Sequence, residues 1–142
     1  MAKMEKRWVG ARFFKLYAQG GGFDTGCQIW VDRETNVQYL WLAYNYSGGL
    51  TVLVDAEGKP LLYGEKTSRR KGQVDDRFFK LYTQGGGFNA NCQIWVDRET
   101  NVNYIWHTDG FWQVGSYAGG LTVLLDAEGK PLLYREHNLP EY

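Results

Sequence analysis

The segment CQIWVDRETNVQY, Cys27–Tyr39, returns as CQIWVDRETNVNY at Cys92–Tyr104. Each copy has the pattern of a strand, a tight turn and a second strand. Cys27, Ile29 and Val31 alternate onto one face of the first strand, while Gln28, Trp30 and Asp32 share the other. DRETN is the turn. Asp32 and Thr35 carry side-chain oxygens that bond local backbone, and Asn36 tolerates positive φ. VQYLWL resumes a strand, with Val37, Tyr39 and Trp41 together on one face.

The duplication extends outward from this segment. Arg12–Trp41 and Arg77–Trp106 agree at 24 of 30 positions, and Tyr46–Tyr63 and Tyr117–Tyr134 at 16 of 18. A first unit therefore spans 12–63 and a second spans 77–134. They are preceded by a polar leader, 1–11, anchored by Trp8, and joined by the charged linker 64–76; a polar tail, 135–142, follows. Arg69, Arg70 and Lys71 in the linker form a short basic run whose simplest reading is solvated chain. Units of about 50–60 residues bury only about 60% of their unfolded surface and are marginal alone. The two copies are thus expected to pack on each other, as a pseudo-twofold pair with a shared core.

Each unit carries five expected strands, in the first copy near 12–18, 26–32, 37–43, 50–55 and 60–63. Aromatic strands separated by glycine turns mark the class as all-β. QGGGF reads as a turn or bulge, or else as a ligand-lining loop, and lacks the spacing of a phosphate loop. AEGK joins the last two strands, with Gly58 and Gly129 at left-handed positions. Pro60 and Pro131 open an edge strand, because proline cannot donate to a ladder.

Composition excludes several classes. Sixteen basic residues balance sixteen acidic ones, so no global charge draws the chain to nucleic acid or an anionic membrane. No apolar run is long enough to span a bilayer, and the N-terminus lacks the apolar core of a secretory signal. Two cysteines are too few for a disulfide scaffold and read as small buried apolar residues, which places the protein in the cytoplasm. Two cysteines and two histidines without close spacing give no zinc site, and no cofactor is expected.

The copies stop agreeing in one place. Six residues separate Trp41 from Gly48, but twelve, HTDGFWQVGSYA, separate Trp106 from Gly119. The insertion reads either as a longer hairpin capping the core or as a recognition loop, 107–118, carrying Phe111 and Trp112.

The pattern VDRETNVQYLW followed by GGLTVLVDAEGKPLLY resembles an uncharacterised family of short bacterial and phage domains of unknown function, with a signature like VDKETGVNYLF…GGLTPLLDxDGKP. The resemblance covers most of each copy, and copy two, with VNYIW and YAGGLTVLLDAEGKP, is the closer match. Asn36 and Asn101 stand where that family has glycine, which preserves tolerance of positive φ. The resemblance implies the tandem organisation and no chemistry.

Candidate functional residues follow from residue type. His107 and Asp109, two apart, have the types of a base and its orienter, but no repeated nucleophile accompanies them. The charged turns, Asp32-Arg33-Glu34 and Asp97-Arg98-Glu99, are explained by turn solvation. Trp30 and Trp95 point away from the Cys-Ile-Val face, as an interface between the copies or a binding platform, with Trp41, Trp106 and Trp112 as further stacking candidates. These features direct the reading to a non-catalytic protein that binds a small molecule of nucleotide type, as a phage-type protein sequestering a nucleotide signal would. Arg33 and Arg98 would supply charge, and Trp30, Trp95 and Trp112 stacking. Alternatives are a protein-interaction module acting on a partner through 107–118, a lectin, and, weakest, a single-strand nucleic-acid binder. A homo-oligomer is compatible with all of them.

Overall fold

The fold is described by a computed structural model, which covers residues 11–20, 25–44, 47–64, 76–85, 91–111 and 116–135. The described residues contain eight strands and no helix. In repeat 1 these are β1 (Phe13–Gly20), β2 (Thr25–Asp32), β3 (Gln38–Tyr44) and β4 (Ser47–Val52). In repeat 2 they are β5 (Phe78–Gly85), β6 (Asn91–Asp97), β7 (Asn103–Phe111) and β8 (Ser116–Val123). Each repeat is a four-stranded antiparallel meander in sequence order. Two homologous all-β units are thus what the duplicated sequence specifies.

The fifth expected strand contracts to bridges. Val54 pairs with Pro60 and Val37 with Leu62, and their counterparts are Leu125 with Pro131 and Val102 with Leu133. The proline removes a ladder donor at the point where the strand would begin. Around it, Asp55 accepts from the backbone of Glu57 and Lys59, closing the AEGK turn, and Gly58 and Gly129 take the expected positive φ of 87° and 85°.

The DRETN turns form as the residue types require. Asp32 Oδ1 accepts from the Glu34 backbone at 2.9 Å, and Thr35 Oγ1 from Val37 at 3.2 Å. Asn36 and Asn101 adopt φ of 65° and 64°. The six extra residues of repeat 2 lengthen one hairpin: β7 and β8 remain paired out to Phe111 and Ser116, whereas β3 and β4 end at Tyr44 and Ser47. The tip of that hairpin, with Trp112, lies outside the described residues. So do Trp8, the basic run at 69–71, most of each QGGGF segment and the tail beyond Arg135.

The two sheets stack with β4 against β8. The core is built from Cys27, Ile29, Leu40, Leu42 and Leu53 of repeat 1 and from Phe78, Trp95, Tyr104, Trp106 and Leu121 of repeat 2. This corrects the pseudo-twofold expectation. A twofold axis would bury the same face of both repeats. Here repeat 1 buries its aliphatic face and repeat 2 its aromatic face, so the sheets stack front to back. One physical reason is polarity: repeat 1 has the fully buried Leu42 where repeat 2 has His107, so burying the aliphatic face of repeat 2 would also bury an imidazole.

Glycine permits the close approach. A Cβ on Gly49 would lie 2.7 Å from the Leu121 nitrogen and 2.8 Å from the Gly120 carbonyl carbon, so the β4 and β8 backbones touch there. Ser47 and Thr108 hydroxyls join the same junction at 2.8 Å.

Candidate functional site

Because the stacking is front to back, the aromatic face of repeat 1 has no sheet over it among the described residues. It forms a groove of about 540 Å³ lined by Phe13, Gln28, Trp30, Tyr39, Trp41 and Leu50. All four strands contribute. Trp30 pairs with Tyr39, Gln28 with Trp41 and Trp41 with Leu50 across the ladders, so alternation puts the rings on one face. Trp30 Nε1 donates to Gln28 Oε1 at 2.7 Å, which fixes the indole edge-on to the amide. Trp41 lies over Gly48, where a Cβ would overlap its ring. Phe13 and Leu50 are 49% and 56% exposed, while their counterparts Phe78 and Leu121 are 1% and 7% exposed.

One end of the groove is held by an ion pair. Arg12 Nε and Nη2 donate to the two Asp32 carboxylate oxygens, each at 2.9 Å, with Glu34 at 3.6 Å. The guanidinium lies 5.3 Å from the Phe13 ring centre. Hydrogen bonds from Arg12 hold the Asp32 carboxyl below the usual carboxylate range, and the same bonds raise Arg12. The equivalent pair, Arg77–Asp97, is buried, and Glu99 joins it at 3.0 Å. There burial works most strongly against the Arg77 charge, but the hydrogen bonds to Asp97 together with the charges of Asp97 and Glu99 outweigh it, and the guanidinium is raised.

The sequence candidates do not converge. Trp30 lies in the groove, but Trp95 is buried between the sheets, its Nε1 donating to Gln93 at 2.7 Å. The expected pair of outward tryptophans is therefore divided: one is interface and the other platform. Arg33 and Arg98 serve their turns instead of the groove. Each stacks on a phenylalanine, Phe14 at 4.4 Å and Phe79 at 4.3 Å, and donates to a backbone carbonyl, Ala11 and Asp76. Phe14 and Phe79 in turn pack edge-on against Tyr63 and Tyr134.

His107 and Asp109 lie two apart on β7, exposed on the far side of repeat 2. His107 pairs across the ladder with Cys92, whose Sγ is 3.0 Å from Nδ1. Cys27, the counterpart of Cys92, is buried; burial foremost, and then the charge of Asp76, push its thiol up to about 12. Phe111 is placed only as the last residue of β7, and Trp112 is outside the described residues. Among the described residues no group of His, Cys, Asp and Glu is arranged to hold a metal, and no helix is long and apolar enough to cross a membrane.

The groove residues that residue-type reasoning missed are Phe13, Gln28, Tyr39 and Leu50. Strand alternation puts Tyr39 with Trp41, but which face stays open depends on the stacking.

A family model matches residues 12–63 and 77–134, the two repeats. The chain belongs to the family of unknown function DUF6440. No curated protein and no solved structure matches it. In this chain two DUF6440 units stack on each other, and the aromatic face of one of them is left open.

Proposed function

We propose that the protein is a non-catalytic docking module of the cytoplasm, and that the aromatic groove of repeat 1 receives the apolar sheet surface of a protein partner. One observation carries this reading: in repeat 2 the same face, with the same residues, is covered by a sheet. Gln28, Trp30, Tyr39 and Trp41 correspond to Gln93, Trp95, Tyr104 and Trp106, all buried against the aliphatic face of repeat 1. The lining favours an apolar partner as well. Gln28 is its one amide, and that amide is already bonded to Trp30.

A nucleotide-type small molecule, the ligand of a phage-type sequestering protein, is the second reading. A groove of this volume falls within the range of small-molecule sites, and Trp30 and Trp41 offer ring faces. It lacks a committed cation: Arg33 and Arg98 are turned to their phenylalanines, and Arg12 is paired with Asp32.

Calorimetry and tryptophan fluorescence on the intact protein separate the two. The expected result is no saturable response to a panel of mono-, di- and cyclic nucleotides, together with binding of an apolar fluorescent probe that weakens about tenfold in Trp30→Ala. Saturable nucleotide binding that is lost in Trp30→Ala would overturn the docking reading in favour of the small molecule.

A further inference from the structure

The partner for which the molecule itself carries a template is a second copy of the same chain. We propose that chains associate head to tail, the open aliphatic face of repeat 2 in one chain docking into the aromatic groove of repeat 1 in the next. This rests on the docking reading and names its partner. The contact would repeat, between chains, the junction that already joins the two repeats within one chain.

Three observations support it. First, among the described residues each chain leaves one face of each kind without a sheet over it. The face of repeat 2 that corresponds to Cys27, Ile29, Leu40 and Val54 consists of Cys92, Ile94, Ile105 and Leu125, nearly the same chemistry in the same register. Val54 is 7% exposed inside the junction, while Leu125 is 52% exposed. Ile94 and Ile105 are half-buried where Ile29 and Leu40 are fully buried.

Second, the backbone contact is preformed. Gly49 is a glycine because the β8 backbone lies against it. Gly120 is its counterpart, and a Cβ there would meet nothing within 4 Å. Repeat 2 keeps the bare position that the β4 backbone of the next chain would occupy.

Third, the polar clamp at the edge of the junction is duplicated. Within the chain, the Tyr17 hydroxyl donates to Gln19 Oε1 at 2.9 Å. Gln19 then holds Phe78 by both backbone groups, at 2.8 and 2.9 Å, and Tyr17 accepts from the Arg77 backbone at 3.1 Å. In repeat 2, Tyr82 donates to Gln84 at the same 2.9 Å, in an exposed setting. The backbone it would hold is that of Arg12 and Phe13 in the next chain. Phe13 lines the groove that the aliphatic face would fill.

The junction between chains is the weaker of the two. Ala43 and Ala118 stand where Thr108 and Ser47 bond each other, and His107 replaces Leu42. Association is therefore reversible and concentration-dependent. Because it joins unlike faces, it is heterologous and produces a ring if the rotation closes and an open stack if it does not.

Sedimentation velocity across a concentration series tests the proposal, with circular dichroism confirming the fold of every variant. The wild type is expected to form multimers as concentration rises. Ile105→Asp blocks the aliphatic face, Trp30→Asp blocks the groove, and each is expected to be monomeric alone. An equimolar mixture of the two retains one intact junction per pair and is expected to form dimers and nothing larger. Gly120→Ala, which leaves the isolated chain undisturbed, is expected to lose association as well. A wild type that stays monomeric up to about 1 mM, the weak end of measurable affinity, would overturn the proposal. So would association abolished by Trp30→Asp but untouched by Ile105→Asp, which is groove-to-groove pairing, or association indifferent to both. A monomer that still binds the apolar probe through Trp30 would leave the docking reading standing and remove this partner alone.

Discussion

Trp30 and Trp95 occupy the same place in nearly identical sequences, make the same 2.7 Å bond to a glutamine two residues earlier, and have opposite fates. One lines an open groove; the other is buried between two sheets. The same division runs through Phe13 and Phe78, Tyr39 and Tyr104, and Trp41 and Trp106. Alternation gives each repeat two apolar faces, one aliphatic and one aromatic. Stacking the repeats front to back uses one face from each. Burial is therefore a property of position in the stack, and the residues themselves are equally suited to either setting. Polar atoms record the difference: Trp106 Nε1 and Gln93 Nε2, buried, have no hydrogen-bond partner among the described residues.

The comparison is tested most strongly at the ring that fills the junction. Trp106→Ala should cost about 3–5 kcal/mol of stability, because the ring is fully buried. Trp41→Ala, its equivalent, should cost less than half of that. Denaturant unfolding of the two variants measures both, and equal losses would mean that the faces are not used differently.

Glycine offers a sharper contrast with a smaller effect. Gly49→Ala should cost about 1–3 kcal/mol, since the methyl group would meet the β8 backbone. Gly120→Ala, with open space around it, should leave the stability of the isolated chain unchanged within about 0.5 kcal/mol. Thermal or denaturant unfolding at low concentration, where chains are separate, is the measurement.

The cysteines extend the contrast to pH. Burial pushes the Cys27 thiol up to about 12, so the folded state favours the neutral form. That preference is fully present below about pH 8.5, where the thiol of the unfolded chain is still protonated, and is lost as pH rises toward the folded value. Stability should fall by at most about 1.4 kcal/mol per pH unit through this window, and Cys27→Ala should flatten the slope. In the native protein at neutral pH, iodoacetamide should modify Cys92, partly exposed beside His107, well before Cys27. Mass spectrometry of the alkylated peptides reads the order.

The smallest expected effect is at the acid end. Hydrogen bonds from Arg12 lower the Asp32 carboxyl, so this pair adds stability above the ordinary carboxylate range, and that stability is lost as pH falls through the lowered folded value. Asp32→Asn should reduce the acid sensitivity of unfolding, read from denaturant midpoints between neutral and acidic pH. An unchanged acid limb would show that the part-buried pair contributes nothing measurable.

The sequence by itself determined the all-β class, the tandem units and their turns. Those features are local: alternation places side chains on faces, and Asp32, Asn36, Gly58 and their counterparts satisfy the backbone within a few residues. Proline at 60 and 131 marked the last strand, although only the fold showed how far it contracts. Arg33 looked like a ligand-binding charge because the ring it stacks on, Phe14, lies on β1 and is distant in sequence. Only the tertiary structure decided which face of each repeat is buried. Two almost identical sequences do not set opposite burial by local pattern; it follows from how the sheets stack, with Leu42 of repeat 1 buried in the junction and its counterpart His107 left exposed. That choice moved Trp95 into the core, left Trp30 at the surface, and created the groove.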